Sequence, residues 1–115
     1  MFQNKILIIC TTFNFPNELN QAIQCILSVL NSRNDTYCTV IDNLSKDEKV
    51  HEILDNINHK NLSVIKKNMN IGKAMVTNHY LKETLNHENC PRVVISMDPD
   101  VKFDVESFNK LIDAL

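Results

Sequence analysis

Apolar residues along this chain fall into two spacings that take turns. Compact runs lie at Lys5–Thr11, Tyr37–Ile41, Asn61–Lys66 and Arg92–Met97. Each is short enough for a strand and each ends in polar residues. The run Arg92–Met97, opened by Pro91, is continuous enough to predict a central strand covered on both faces. Asn61–Lys66 alternates, as expected near a sheet edge. Between the runs, apolar positions recur every three or four residues. Leu19, Ala22, Ile23, Ile26, Leu27 and Leu30 share one face of a first helix, begun at Pro16-Asn17 with Asn17 as its cap. Val50, Ile53, Leu54 and Ile57 form the stripe of a second helix over Lys46–Asn58. Ser45 and Glu48 make a capping-box pattern at its start. A third helix runs from Ile71-Gly72-Lys73 to Asn86, and Asp104 caps a last one from Val105 to the terminus.

The order β-α-β-α-β-α-β-α, with connections long enough for crossovers, predicts an α/β fold. The expected architecture is a mostly parallel four-stranded sheet with helices on both faces. A chain of 115 residues makes this one domain, 1–115. Polar residues collect where the strands end: Thr11 to Asn14, Asp42-Asn43, and Asp98 to Asp100. All lie at the carboxyl edge, where open α/β sheets bind ligands.

Composition narrows the chemistry. Twelve basic against fourteen acidic residues leave a net charge of −2, with no basic footprint for nucleic acid or an anionic membrane. The apolar run Ile6–Cys10 is too short for a signal peptide or a transmembrane segment. Cys10, Cys25, Cys38 and Cys90 show no C-x-x-C spacing, which predicts reduced thiols rather than zinc. These features point to a cytoplasmic protein, with peripheral attachment at the inner membrane face as a variant. His51, His59, His79 and His87 have neither triad nor metal-ligand spacing and receive no role.

Asp98-Pro99-Asp100 is the sharpest chemical feature. Two carboxylates near 4 Å apart at a protein surface repel by up to ~4 kcal/mol. A hard divalent cation removes that cost, because it takes oxygen ligands and shares them with phosphates. Pro99 stiffens the pair by restricting both its own φ and Asp98. Gly72 is the only glycine, set where the backbone must turn or pass closely before the third helix. Lys73 follows in the first turn, where the helix dipole disfavours a cation and a bound diphosphate would offset that. Neither G-x-x-x-x-G-K nor G-x-G-x-x-G occurs.

Four stretches together resemble the N-terminal half of a family-2 glycosyltransferase with the GT-A, Rossmann-like fold. They are Thr11-Thr12-Phe13-Asn14, Ile41-Asp42-Asn43-Leu44-Ser45, Asn70-Ile71-Gly72-Lys73-Ala74 to Asn78, and Asp98-Pro99-Asp100. The resemblance implies a metal-dependent, inverting transfer from a nucleotide-diphospho-sugar donor to an acceptor hydroxyl, carbohydrate or lipid-linked. It implies that Thr11, Phe13, Asn14, Asp42, Asn43, Gly72, Lys73 and Asp98 bind the nucleotide sugar. Asp98 and Asp100 would hold Mg²⁺ or Mn²⁺. Phe13 stands where Tyr is frequent, keeping base stacking without the phenolic hydrogen bond. Asn43 replaces the second acid of a common pair, which leaves UDP, GDP and dTDP open as donor nucleotides.

In such enzymes the catalytic base lies well beyond the D-x-D. This sequence stops fifteen residues after Asp100. The expectation is therefore a truncated donor-binding half, inactive alone or completed by another chain. The alternative is a non-catalytic nucleotide-binding or assembly module. A HAD-type phosphatase, the other enzyme with D-x-D after a strand, places that motif near the start of its fold.

Overall fold

Strand β1 (Ile6–Thr12) is buried along its whole length because it is flanked on both sides. The computed structural model describes residues 2–115. The remaining strands are β2 (Thr36–Asp42), β3 (Leu62–Lys66) and β4 (Val93–Met97). They form one sheet in the order β3-β2-β1-β4, every pair parallel. The register sets Ile6 beside both Thr36 and Val93, and Thr12 beside Asp42. The helices are α1 (Pro16–Ser32), α2 (Glu48–Asp55), α3 (Lys73–Thr84) and α4 (Val105–Asp113).

Alternation along β1 divides the core. Ile6, Ile8 and Cys10 pack with Leu19 and Ile26 of α1, Val50 and Leu54 of α2, and Phe108 and Ile112 of α4. Leu7 and Ile9 face the other way, against Ile41, Val76 and Tyr80. Helices thus cover both faces, three on one side and α3 on the other. Handedness explains the split. The chain advances from β1 to β3 with right-handed crossovers, then returns past β1 to form β4, which carries α3 to the opposite face. The reversal makes a topological switch point between β1 and β4. A hydrogen bond of 2.8 Å between the hydroxyls of Thr39 and Tyr80 fixes α3 over β2.

Three local expectations are corrected. β4 is an edge strand: Val94 and Ser96 are exposed, and only Met97 is buried. The reason is the seat of α3, which packs on the Leu7, Ile9 and Ile41 side chains and leaves the same face of β4 uncovered. The cap of α1 is Phe15, not Asn17. Pro16 has no N–H and a fixed φ, so it takes the first helical position and sets the cap two residues before Asn17. Helix α2 begins at Glu48 under Asp47, whose carboxylate accepts from the Lys49 amide at 2.9 Å. Ser45 does not cap it, because its hydroxyl is engaged by Asp42. The cap expected at Asp104 is present, accepting from the Ser107 amide at 2.7 Å. No helix among the described residues is long and apolar enough to cross a membrane.

Candidate functional site

The polar strand exits enclose a cleft of ≈ 550 Å³ at the carboxyl edge of the sheet, over the switch point. Thr11, Thr12 and Phe13 leave β1 along its floor. The Thr11 hydroxyl lies 3.3 Å from that of Thr77 on α3, while Phe13 keeps 39% of its surface exposed. Thr12 is buried, and its hydroxyl has no hydrogen-bond partner among the described residues.

The turn from β1 to α1 is strained. Asn14 and Phe15 adopt left-handed φ values of 54° and 57°. Asn tolerates that region, whereas a bulky aromatic there is an outlier costing roughly 1–3 kcal/mol. Phe15 is nonetheless 67% exposed and lines the cleft. A hydrogen-bonded lattice behind the turn holds it. Asn14 Oδ1 accepts from the amides of Lys46 at 2.9 Å and Asp47 at 3.3 Å. The Asn14 amide donates to Ser45 Oγ at 2.7 Å, and Ser45 Oγ in turn donates to Asp42 Oδ1. The Ser45 amide donates to Asp42 Oδ2 at 3.2 Å. Leu44, between them, is also left-handed at φ 66°.

Asp42 and Asn14 therefore stand behind the cleft and do not line it. Thr11, Phe13, Asn43, Gly72, Lys73, Asp98 and Asp100 do line it. Asn43 donates to Asn70 Oδ1 at 3.0 Å and accepts from the Ile71 amide at 3.3 Å. This orientation leaves it one N–H and one lone pair for a ligand. Asn70 Oδ1 also accepts from the Gly72 amide at 3.1 Å. Gly72 has φ +84°, and nothing lies within 4 Å of where a Cβ would be. The glycine serves the turn into α3 rather than a close protein contact.

At the other end, Lys73 Nζ sits 2.6 Å from Asp98 Oδ1. The Val101 amide donates to the Asp98 carbonyl at 3.3 Å, closing a turn from which Asp98 and Asp100 both line the cleft. Both carboxylates face solvent. No group of three His, Cys, Asp or Glu side chains suited to a metal occurs among the described residues. Two carboxylates on a stiff turn still fit a Mg²⁺-type cation, which keeps its other positions for water and phosphate oxygens. Beneath them, the Cys10 thiol is pushed up to about 12, first by burial and then by the Asp98 charge, with Lys73 opposing. It stays a neutral thiol and cannot act as a nucleophile near neutral pH.

Thr12, Asn70 and Pro99 line the cleft from within the stretches the sequence singled out, though without an expected role; Phe15 and Glu18 lie outside those stretches. Phe15 had one signal, its place before Pro16 beside a polar strand exit. Glu18 reaches the cleft only because α1 starts at Pro16.

No family model and no curated protein matches the chain. Solved structures do. A mannosyltransferase from Pyrobaculum calidifontis, PcManGT, in complex with GDP-Man and Mn²⁺, matches at TM-score 0.75 and 16% identity. The match covers 96% of this chain and 32% of that one. S. aureus TarS 1-349 in complex with UDP-GlcNAc matches at TM-score 0.66 and 20% identity, over 95% of this chain and 30% of that one. TarS 1-349 in its other structure gives TM-score 0.60 at 18% identity, over 95% and 31% of the two chains. The chain thus spans about a third of the length of these structures and has the GT-A-like α/β fold in nearly all of its own.

Proposed function

We propose that this chain is the donor-binding portion of a metal-dependent glycosyltransferase. The observation that carries the reading is the polarity of the cleft. One end offers Phe13 and the half-satisfied Asn43 amide, suited to a flat base with hydrogen-bonding edges. The other end offers Lys73, Asp98 and Asp100, suited to a diphosphate and a divalent cation. The fold supports it: structures sharing this sheet hold GDP-Man with Mn²⁺, or UDP-GlcNAc.

In this reading the Phe13 ring stacks on the base and Asn43 pairs with its edge. Thr11, on the cleft floor, contacts the nucleotide, and Gly72 leaves open space where a side chain would stand. Asp42 and Asn14 act indirectly, by holding the two loops that carry Asn43 and Phe13. Asp98 and Asp100 would hold Mg²⁺ or Mn²⁺, and the cation would supply Lewis-acid neutralisation of a leaving diphosphate. Lys73 supplies a further positive charge to the same phosphates. The chain spans about a third of the length of the solved structures it resembles, and donor binding is the property to measure on it.

Titration calorimetry with UDP, GDP and dTDP, each with and without Mn²⁺, tests this. Metal-dependent binding of at least one nucleotide that is lost in Asp100→Ala is expected. Failure of all three to bind with Mn²⁺ present would end the reading for this chain.

A further inference from the structure

The pairing of Lys73 with Asp98 has a consequence for how ligands enter. We infer that Lys73 is an exchangeable partner of Asp98. A divalent cation must compete with its ammonium for the carboxylate, and a diphosphate draws the ammonium away. Cation and diphosphate then bind as a coupled pair. The inference rests on the donor-site reading above.

The geometry supports exchange rather than a fixed structural bridge. The Nζ–Oδ1 separation is 2.6 Å, yet the two side chains remain 41% and 55% exposed. An ion pair this open is weak and easily traded. No other acidic side chain pairs with Lys73 among the described residues, and Asp100 has no cationic partner there. Asp100 is thus the carboxylate a cation meets first, with Asp98 available only against Lys73. The position of Lys73 also favours release. It opens α3, where no acidic residue occupies the first turn and Gly72 gives no side-chain cap. The helix dipole repels the ammonium there and attracts phosphate, so a diphosphate satisfies both the helix terminus and Lys73. Gly72 leaves open space beside this terminus. The Lys stem has four rotatable carbons and a compact head, which lets the charge move without moving the helix.

Charge balance gives the coupling its sign. One ammonium against two carboxylates leaves a single net negative charge. A cation alone must evict Lys73 from Asp98, and a diphosphate alone meets both carboxylates. Together, each removes the obstacle to the other.

Two variants read the exchange from opposite sides. Lys73→Gln removes the competitor, so Mn²⁺ alone, followed by the paramagnetic resonance of the free ion, should bind about two- to fivefold more tightly than to the parent chain. Asp98→Asn frees the ammonium, so the nucleoside diphosphate that binds best should bind more tightly by a similar factor without metal. That gain should disappear when Lys73→Gln is added, which separates exchange from simple loss of a negative charge. Mn²⁺ affinity that is unchanged or weaker in Lys73→Gln, or an Asp98→Asn gain that survives in the double variant, overturns the exchange while leaving the donor site intact. Absence of both Mn²⁺ and nucleotide binding in every form would overturn the donor-site reading, and the exchange with it.

Discussion

Ser45 Oγ donates to the buried carboxylate of Asp42 and accepts from the backbone amide of Asn14 at 2.7 Å. One hydroxyl therefore joins the end of β2 to the turn that follows β1. Ser45→Ala should cost about 2–3 kcal/mol, the scale for removing a hydrogen bond to a buried charge. Urea unfolding would measure it. Because Asn14 also loses one of its three anchors, Phe13 and Phe15 should lose position, and the proposed nucleotide binding should weaken beyond what the stability change alone produces.

Phe15 stores strain in a left-handed backbone while most of its ring faces solvent. Phe15→Gly should relieve that strain and raise stability by about 1 kcal/mol, since glycine adopts the conformation freely and little packing is lost. A higher melting temperature with weaker nucleotide binding is the expected pair of results. A fall in melting temperature would show that the ring is held by packing instead.

Asp35 anchors the opposite end of the sheet. The Arg33 guanidinium, bonded to it at 3.0 Å through both Nε and Nη2, holds its carboxyl below the usual range, aided by the Thr36 hydroxyl. A carboxyl depressed in the folded state contributes stability above its unfolded pKa and loses it as pH falls through the folded value. Asp35→Asn should therefore cost on the order of 1 kcal/mol at pH 7, allowing for partial solvent screening. The gap between parent and variant should close in acid, below the ordinary carboxylate range. Denaturant midpoints measured across that range would show it.

The cysteines should separate by reactivity. Cys90 is exposed, whereas Cys10 and Cys38 are buried with their thiols pushed up by desolvation. A thiol reagent near pH 8 should modify Cys90 first and reach Cys10 and Cys38 only on unfolding. Alkali gives a second signature. The unfolded chain ionises Cys10 near 9.0 and the folded chain only at about 12, so stability should fall as pH rises between them. Cys10→Ala should flatten part of that slope in denaturant titrations.

The alternating apolar runs and stripes made the element order and the parallel sheet legible, because burial on a sheet or helix face imposes its own period. The carboxyl edge was legible for the same reason: Thr11 to Asn14, Asp42-Asn43 and Asp98 to Asp100 all sit at or just beyond strand ends. Caps were not. Ser45 has the residue type and spacing of a cap, but Asp42, three residues back and buried at the end of β2, takes its hydroxyl instead. The same pairing moved Asp42 from the cleft to the layer behind it. Phe15 was missed because its left-handed turn is set by contacts from Lys46 and Asp47, more than thirty residues on. β4 was read as central because its run is apolar, yet the seat of α3 decides which of its faces are covered.

The parallel order of the sheet also sets when the cleft can come into being. β1 and β4 meet across nearly the whole chain, as the hydrogen bond from the Phe2 amide to Asn89, eighty-seven residues away, illustrates. Closing such a loop is slow compared with forming any one helix. Thr12 and Asp98 come to line one cleft only once the last strand has docked on the first. Ligand binding at this edge would therefore report completed folding: a refolding chain should regain its helical signal before it regains the proposed donor site.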